Sequence, residues 1–212
     1  SSIIMFEVIE LARKIVVTSG KGGVGKTTIC ANLGVYLSRL GFRVAMLDVD
    51  IGLNNLDVVM GLEKQVVFDI TDVVSGKCRV RQALVQDVNY PSLYLLPSSH
   101  SYASSKITGE HIKNITDIID HSFDYILLDC PAGVEAGFHR AVYPANEAII
   151  VVTPHLSSLR DADKVLSIIS SYHIESKYLV INRMRGDLLL SGEMINIESI
   201  VKAMNIPLIG VI

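Results

Sequence analysis

The run Gly20-Lys21-Gly22-Gly23-Val24-Gly25-Lys26-Thr27 constrains this chain more than any other feature in it. It satisfies the pattern G-x-x-x-x-G-K-[ST], and it lies between an apolar run over residues 14–18 and a helical spacing of Leu33, Leu37 and Leu40 that Gly41 stops. Strand, loop, helix is the order that a phosphate cradle requires. Glycines at 20, 22, 23 and 25 let backbone N–H groups turn inward around an anion, a geometry that Cβ atoms obstruct. The positive end of the following helix adds to the same spot. The pattern implies ATP held with magnesium: Lys26 supplies a positive charge to the β and γ phosphates, the Thr27 hydroxyl takes one magnesium position, and Thr28 donates a further hydrogen bond to phosphate. The plain alternative is a glycine-rich turn, which does not need Lys and Thr at these offsets. Lys21 is not required to hold nucleotide within one subunit, and from the residues alone it reads as a solvated lysine.

From residue 14 onward, apolar runs of strand length alternate with helical patterns. Strands are expected at 14–18, 44–47, 93–96, 125–128, 148–152, 178–181 and 208–212, and helices at 27–40, 109–120, 159–172 and 193–204. With 50% apolar residues, 19% charged residues and a mean hydropathy of +0.41, several strands must be buried on both faces. The expected class is α/β, a doubly wound, mainly parallel sheet flanked by helices, of the P-loop NTPase type. Strand order is not legible in such a pattern. Without repeats or linkers, residues 1–212 read as one domain, with 1–12 as a leader or added segment and 97–105 as an exposed polar loop. The chain stops on a buried-looking strand, so it reads as lacking the C-terminal end of its domain.

A net charge of −3 and a pI near 6.0 leave no overall basic field for DNA or anionic lipid. The three cysteines, Cys30, Cys78 and Cys130, have no paired spacing and read as free thiols in a reducing compartment. No apolar run approaches the roughly 20 residues that cross a bilayer. Histidines at 100, 111, 121, 139, 155 and 173 lack metal-ligand spacing and read as surface or loop residues.

Ligands of open parallel sheets bind beyond the carboxyl ends of the strands. Asp48, Asp50 and Asp129 are expected there, after the strands at 44–47 and 125–128. Asp129, behind four apolar residues, matches a Walker B aspartate holding magnesium through water. Asp48 and Asp50, two apart on an extended segment, are expected to point the same way, toward the metal and the attacking water. A backbone N–H near Gly133 is placed to sense the γ-phosphate.

The loop from Lys21 to Thr28 resembles the deviant Walker A motif of the ParA/MinD family of ATPases. Within that family, Asp50-Ile51-Gly52-Leu53-Asn54-Asn55-Leu56-Asp57-Val58-Val59-Met60-Gly61-Leu62, Leu93-Tyr94-Leu95-Leu96-Pro97, Asp129-Cys130-Pro131-Ala132-Gly133-Val134-Glu135 and Arg160-Asp161-Ala162-Asp163 look like the septum-site-determining MinD branch. The resemblance implies catalytic roles for Lys21, Lys26 and Asp50, with Lys21 reaching the partner's phosphates in a nucleotide-sandwich dimer and Asp50 positioning water. It implies magnesium-side roles for Thr27, Asp48 and Asp129, and an adenine contact for Asn182, which otherwise reads as a turn residue. Asn55 and the stretch 160–163 become dimer or partner surface. The implied protein is a slow ATPase whose cofactors are ATP/ADP and Mg2+. It dimerises with ATP, cycles between the cytoplasm and the inner face of the cell membrane, and works with the division inhibitor MinC and the specificity factor MinE. The resemblance assigns the membrane contact to a C-terminal amphipathic helix, before which the sequence reads as stopping, and no DNA is expected.

Flagellar-number ATPases of the same family share an Asp-x-Gly-Leu-x-Asn stretch, but the Asp-Cys-Pro-Ala-Gly-Val-Glu run favours the septum branch. DNA-partition members have Pro-Gln where Ile-Gly follows Asp50. Iron–sulfur scaffolds of this fold need paired cysteines, and Cys130 stands alone. A module that holds nucleotide without hydrolysing it is the remaining alternative.

Overall fold

The structure, a computed structural model, describes residues 11–53, 55–99, 107–192 and 194–212. In chain order the elements are β1 (Arg13–Thr18), α1 (Lys26–Arg39), β2 (Val44–Asp48), α2 (Leu56–Met60), α3 (Ile70–Val74), α4 (Val80–Ala83), β3 (Val85–Gln86), β4 (Leu93–Leu96), α5 (Gly109–Ile119), β5 (Tyr125–Asp129), α6 (Ala136–Val142), β6 (Glu147–Val152), α7 (Leu156–Ile169), β7 (Ser176–Ile181), α8 (Gly186–Leu190), α9 (Ile197–Met204) and β8 (Leu208–Val211). They form an eight-stranded sheet of order β3-β4-β2-β5-β1-β6-β7-β8. Every pairing is parallel except that of β3 with β4.

Strands buried on both faces make this order possible. In β2 and β6 every residue is buried, so each strand needs cover above and below. On one face α1 brings Cys30, Ala31 and Leu37 against Ile15, Val17, Met46 and Leu127. Gly34 permits that approach, since a Cβ there would lie 2.5 Å from the Met46 sulfur. On the other face α5, α6, α7 and α9 pack Ile112, Phe138, Val165 and Ile200 onto a core containing Val16, Leu47, Leu128 and Val152. Each such side chain stabilises the fold by about 1.5–3 kcal/mol when fully buried. No described helix is long and apolar enough to cross a membrane.

Because β1 lies between β5 and β6, the loop that leaves it emerges at the middle of the carboxyl edge. The long elements fall within a few residues of their expected places, although α7 starts at Leu156 and not at 159, and α9 at Ile197 and not at 193. The two-residue β3 and the short α2, α3, α4, α6 and α8 were not expected, because four to seven residues span too few turns to show a period. One expectation is corrected. Pro97, Ser98 and Ser99 are buried and not part of an exposed loop, with Ser98 at 2% and Ser99 at 3% exposure. Their polar groups tie down neighbouring backbone: Ser98 Oγ donates to the Asp50 carbonyl at 3.2 Å, and the Gly52 N–H donates to the Ser99 carbonyl at 3.0 Å. Residues 100–105 of that expected loop, His100 among them, the leader over 1–10, Asn54 and Glu193 lie outside the described residues.

Candidate active site

The loop after β1 turns back through two left-handed glycines, Gly23 at φ 73° and Gly25 at φ 101°. Gly25 immediately precedes α1, and no side chain caps that helix. Asp69, Thr108 and Asn196 cap α3, α5 and α9 with side-chain oxygens, whereas α2, α6, α7 and α8 share the uncapped start of α1. What sets α1 apart is the glycine loop that leads into it, with Gly25 and Lys26 at its start, and uncapped first-turn amides in that setting fit an anion. Lys26 is only 7% exposed, and its charge acts on Asp50, Asp129 and Cys130. Thr27 is half-buried beside it, while Thr28 and Lys21 are exposed.

Close packing holds the loop from three sides. A Cβ on Gly20 would lie 2.2 Å from the backbone carbonyl carbon of Asp161 on α7, so only glycine fits. A Cβ on Gly22 would stand 3.5 Å from Ala132, in the segment after Asp129. Asn182, just past β7, donates its Nδ2 to the Val24 carbonyl at 2.7 Å, and a Cβ on Gly25 would meet that nitrogen at 2.4 Å. Within the loop Ser19 Oγ donates to the Lys21 carbonyl at 2.7 Å. Sequence reasoning singled out Asn182 but not its contact with the loop, and it missed the seat that Asp161 provides.

Asp48 and Asp129 end neighbouring strands in register. They are 1% and 2% exposed. Desolvation and the charge of Asp129 push Asp48 up to about 7, against three backbone hydrogen bonds that favour its ionised form. Asp129 is pushed to about 6 by desolvation, opposed by a hydrogen bond from Thr27 and the charge of Lys26. The two carboxyls differ in what they touch. Asp48 accepts the N–H groups of Asp50 at 3.0 Å and of Asn55 and Leu56 at 3.1 Å, and so braces the turn that carries Asp50. Asp129 Oδ1 is buried with no hydrogen-bond partner.

An orphaned carboxylate oxygen next to a threonine hydroxyl fits a hard divalent cation. Among the described residues no group of three or more His, Cys, Asp or Glu side chains is arranged to hold a metal. Magnesium takes one or two protein ligands and completes its shell with phosphate oxygens and water. Thr27 and Asp129 match this use most directly, whereas both oxygens of Asp48 are already engaged.

Asp50 is half-buried beyond the end of β2; burial raises its carboxyl above the ordinary value, and the charges of Lys26 and of Arg140 on α6 oppose that rise. Arg140 escaped sequence reasoning because α6 itself did. Gly133 adopts φ 83° in the segment between Asp129 and α6. The Cys130 thiol, buried and accepting from Thr18 Oγ1 at 3.5 Å, is pushed up to about 12 and is unreactive. A cavity of about 430 Å3 lined by Arg43, Tyr94 and Phe123 lies at the opposite, amino edge of the sheet, away from these groups.

A family profile described as an AAA domain matches residues 12–180. The septum site-determining protein MinD of Bacillus subtilis is 46% identical over 204 residues, which is 95% of this chain and 76% of that protein. Among solved structures, the MinC:MinD cell division protein complex of Aquifex aeolicus matches with a TM-score of 0.87 at 43% identity, covering 95% of this chain and 81% of that one. The chain belongs to the MinD family of P-loop ATPases. A further MinD protein, from Pyrococcus horikoshii OT3 and complexed with Mg-ADP, is 31% identical with a TM-score of 0.84, over 95% of this chain and 81% of its own. The eight-stranded, mainly parallel sheet flanked by helices is the fold of the MinD family.

Proposed function

We propose that this chain is a magnesium-dependent ATPase of division-site placement, built as one ATPase domain, whose ATP-bound form dimerises and recruits a septation inhibitor. One observation carries the reading: Lys26, buried at the uncapped start of α1, bears its charge on Asp129, whose Oδ1 is orphaned. Lys26 and the loop amides neutralise the β and γ phosphates, and the Thr27 hydroxyl and Asp129 hold magnesium. Bound magnesium supplies positive charge to phosphate oxygens as they gain negative charge. Asp50 orients the attacking water, while Asp48 fixes the turn that presents it. Lys21, exposed on the rim, reaches the phosphates of a second copy.

The relative seen with MinC supports a partner of that kind, and the names of the relatives support a role in septum placement. A MinE-type activator, slow intrinsic turnover and cycling to the inner membrane face complete the proposal. The test is a titration with fluorescent ATP and magnesium, followed by phosphate release. Lys26→Ala abolishes binding, and Asp50→Ala retains ATP but loses turnover by about a hundredfold or more. Unchanged ATP affinity in Lys26→Ala overturns the reading.

A further inference from the structure

Asp50 has a neighbour that the phosphate loop does not explain. Arg140 projects from α6, on a helix seated close against the site: a Cβ on Gly137 would lie 2.6 Å from the Pro131 ring, two positions past Asp129. Residues three apart share a helix face, so Arg140 stands on the side that Gly137 lays against this segment. The side chain is half-buried, and its Nε is buried with no hydrogen-bond partner. A guanidinium nitrogen left in that condition is costly, and such cases call for a reason. The Asp50 turn comes to the same place, since the Val49 N–H donates to the Asp129 carbonyl at 3.1 Å. The charges of Asp50 and Arg140 act on each other without a hydrogen bond between them.

Among the described residues, the cations whose charge bears on Asp50 are Lys26 and Arg140. Lys26 cannot serve Asp50 fully once a triphosphate claims its charge. The γ-phosphate then brings negative charge toward a carboxylate that must stay in place to orient water. We infer that Arg140 is a positioning residue for Asp50, holding that carboxylate toward the triphosphate after Lys26 has turned to the phosphates. This rests on the ATPase reading and adds a residue to it.

The test compares dissociation constants for a non-hydrolysable ATP analogue and for ADP, each with magnesium, in the unmodified chain and in variants. Arg140→Met raises the ratio of the analogue constant to the ADP constant by about fivefold, the scale of one partly screened charge contact. Arg140→Lys, which keeps the charge, restores the ratio to within about twofold. In an Asp50→Asn background the same Arg140→Met change leaves the ratio unmoved, because the coupling partner is gone. Should Arg140→Met lower the thermal midpoint, Arg140→Gln carries the same comparison.

An unmoved ratio in the Asp50-containing chain overturns the inference. So does an equal rise in the Asp50→Asn background, which would mean that Arg140 acts on phosphate directly. An equal loss of affinity for both nucleotides, with the ratio constant, would reduce Arg140 to a packing residue and also overturn it. Failure of the unmodified chain to bind either nucleotide would instead remove the ATPase reading on which it stands.

Discussion

The side-chain amide of Asn182 donates to the carbonyl of Val24 at 2.7 Å, joining the end of β7 to the phosphate loop across 158 positions of sequence. Its oxygen accepts the N–H of Arg183 at 2.8 Å, and Arg183 adopts φ 62°. Both ends of the amide therefore have backbone partners. If Asn182 acts by holding the loop, Asn182→Ala weakens ATP, ADP and GTP alike, by about fivefold for one hydrogen bond worth roughly 1 kcal/mol. An adenine contact would lower the preference for ATP over GTP instead. Parallel titrations with the two triphosphates distinguish the roles.

Burial of Asp48 and Asp129 gives the site a pH signature. In the folded chain both stand above the ordinary 3.8, at about 7 and about 6. Between about pH 4 and 7 the folded state holds protons that the unfolded chain has released, so this pair's contribution to stability falls as pH rises through that window. Asp129→Asn removes the repulsion. Without nucleotide or magnesium, the variant is expected to melt above the unmodified chain at pH 8, with the gap closing at pH 5. Thermal midpoints at the two pH values check it, and a gap that widens on acidification would reverse the sign assigned to these carboxyls.

Much of this arrangement was legible in sequence because the chemistry and the long elements announce themselves together. The fully buried runs of β2 and β6, and that of β5 after half-buried Tyr125, are apolar enough to be seen one by one, and aspartates close two of the three. What escaped is short or distant. Arg140 sits on a seven-residue helix with too few turns for a period. Ser98 and Ser99 look like loop surface by composition, yet their hydrogen bonds brace the backbone near Asp50 from inside. The identity of Asn182 could be noticed in the sequence, but a contact spanning most of the chain leaves no local trace.

Lys21 offers a separation between binding and assembly. Its side chain is exposed while Lys26 is buried in the cradle. Lys21→Ala is therefore expected to leave nucleotide affinity of the monomer within about twofold, since surface charges contribute little locally. ATP-dependent dimerisation should weaken. Sedimentation with ATP and magnesium reads the second effect, and an undiminished dimer in the variant refutes a cross-subunit role.

The contact between Gly20 and Asp161 tests whether α7 clamps the phosphate loop. A Cβ at Gly20 would lie 2.2 Å from the Asp161 carbonyl carbon and 2.3 Å from its oxygen, and backbone in a packed helix cannot step aside as a flexible side chain can. Overpacking of this kind costs about 1–3 kcal/mol. Gly23 is the control, because its Cβ would meet nothing within 4 Å and only its φ of +73° opposes substitution. Gly20→Ala should then lose both nucleotide affinity and thermal midpoint, by roughly 3–10 °C for a chain of this size. Gly23→Ala should lose less stability, since one left-handed residue costs about 1–2 kcal/mol and displaces no neighbour. Equal midpoints in the two variants would mean that α7 yields freely, and that displacement of the phosphate loop need not be felt at Arg160 to Asp163.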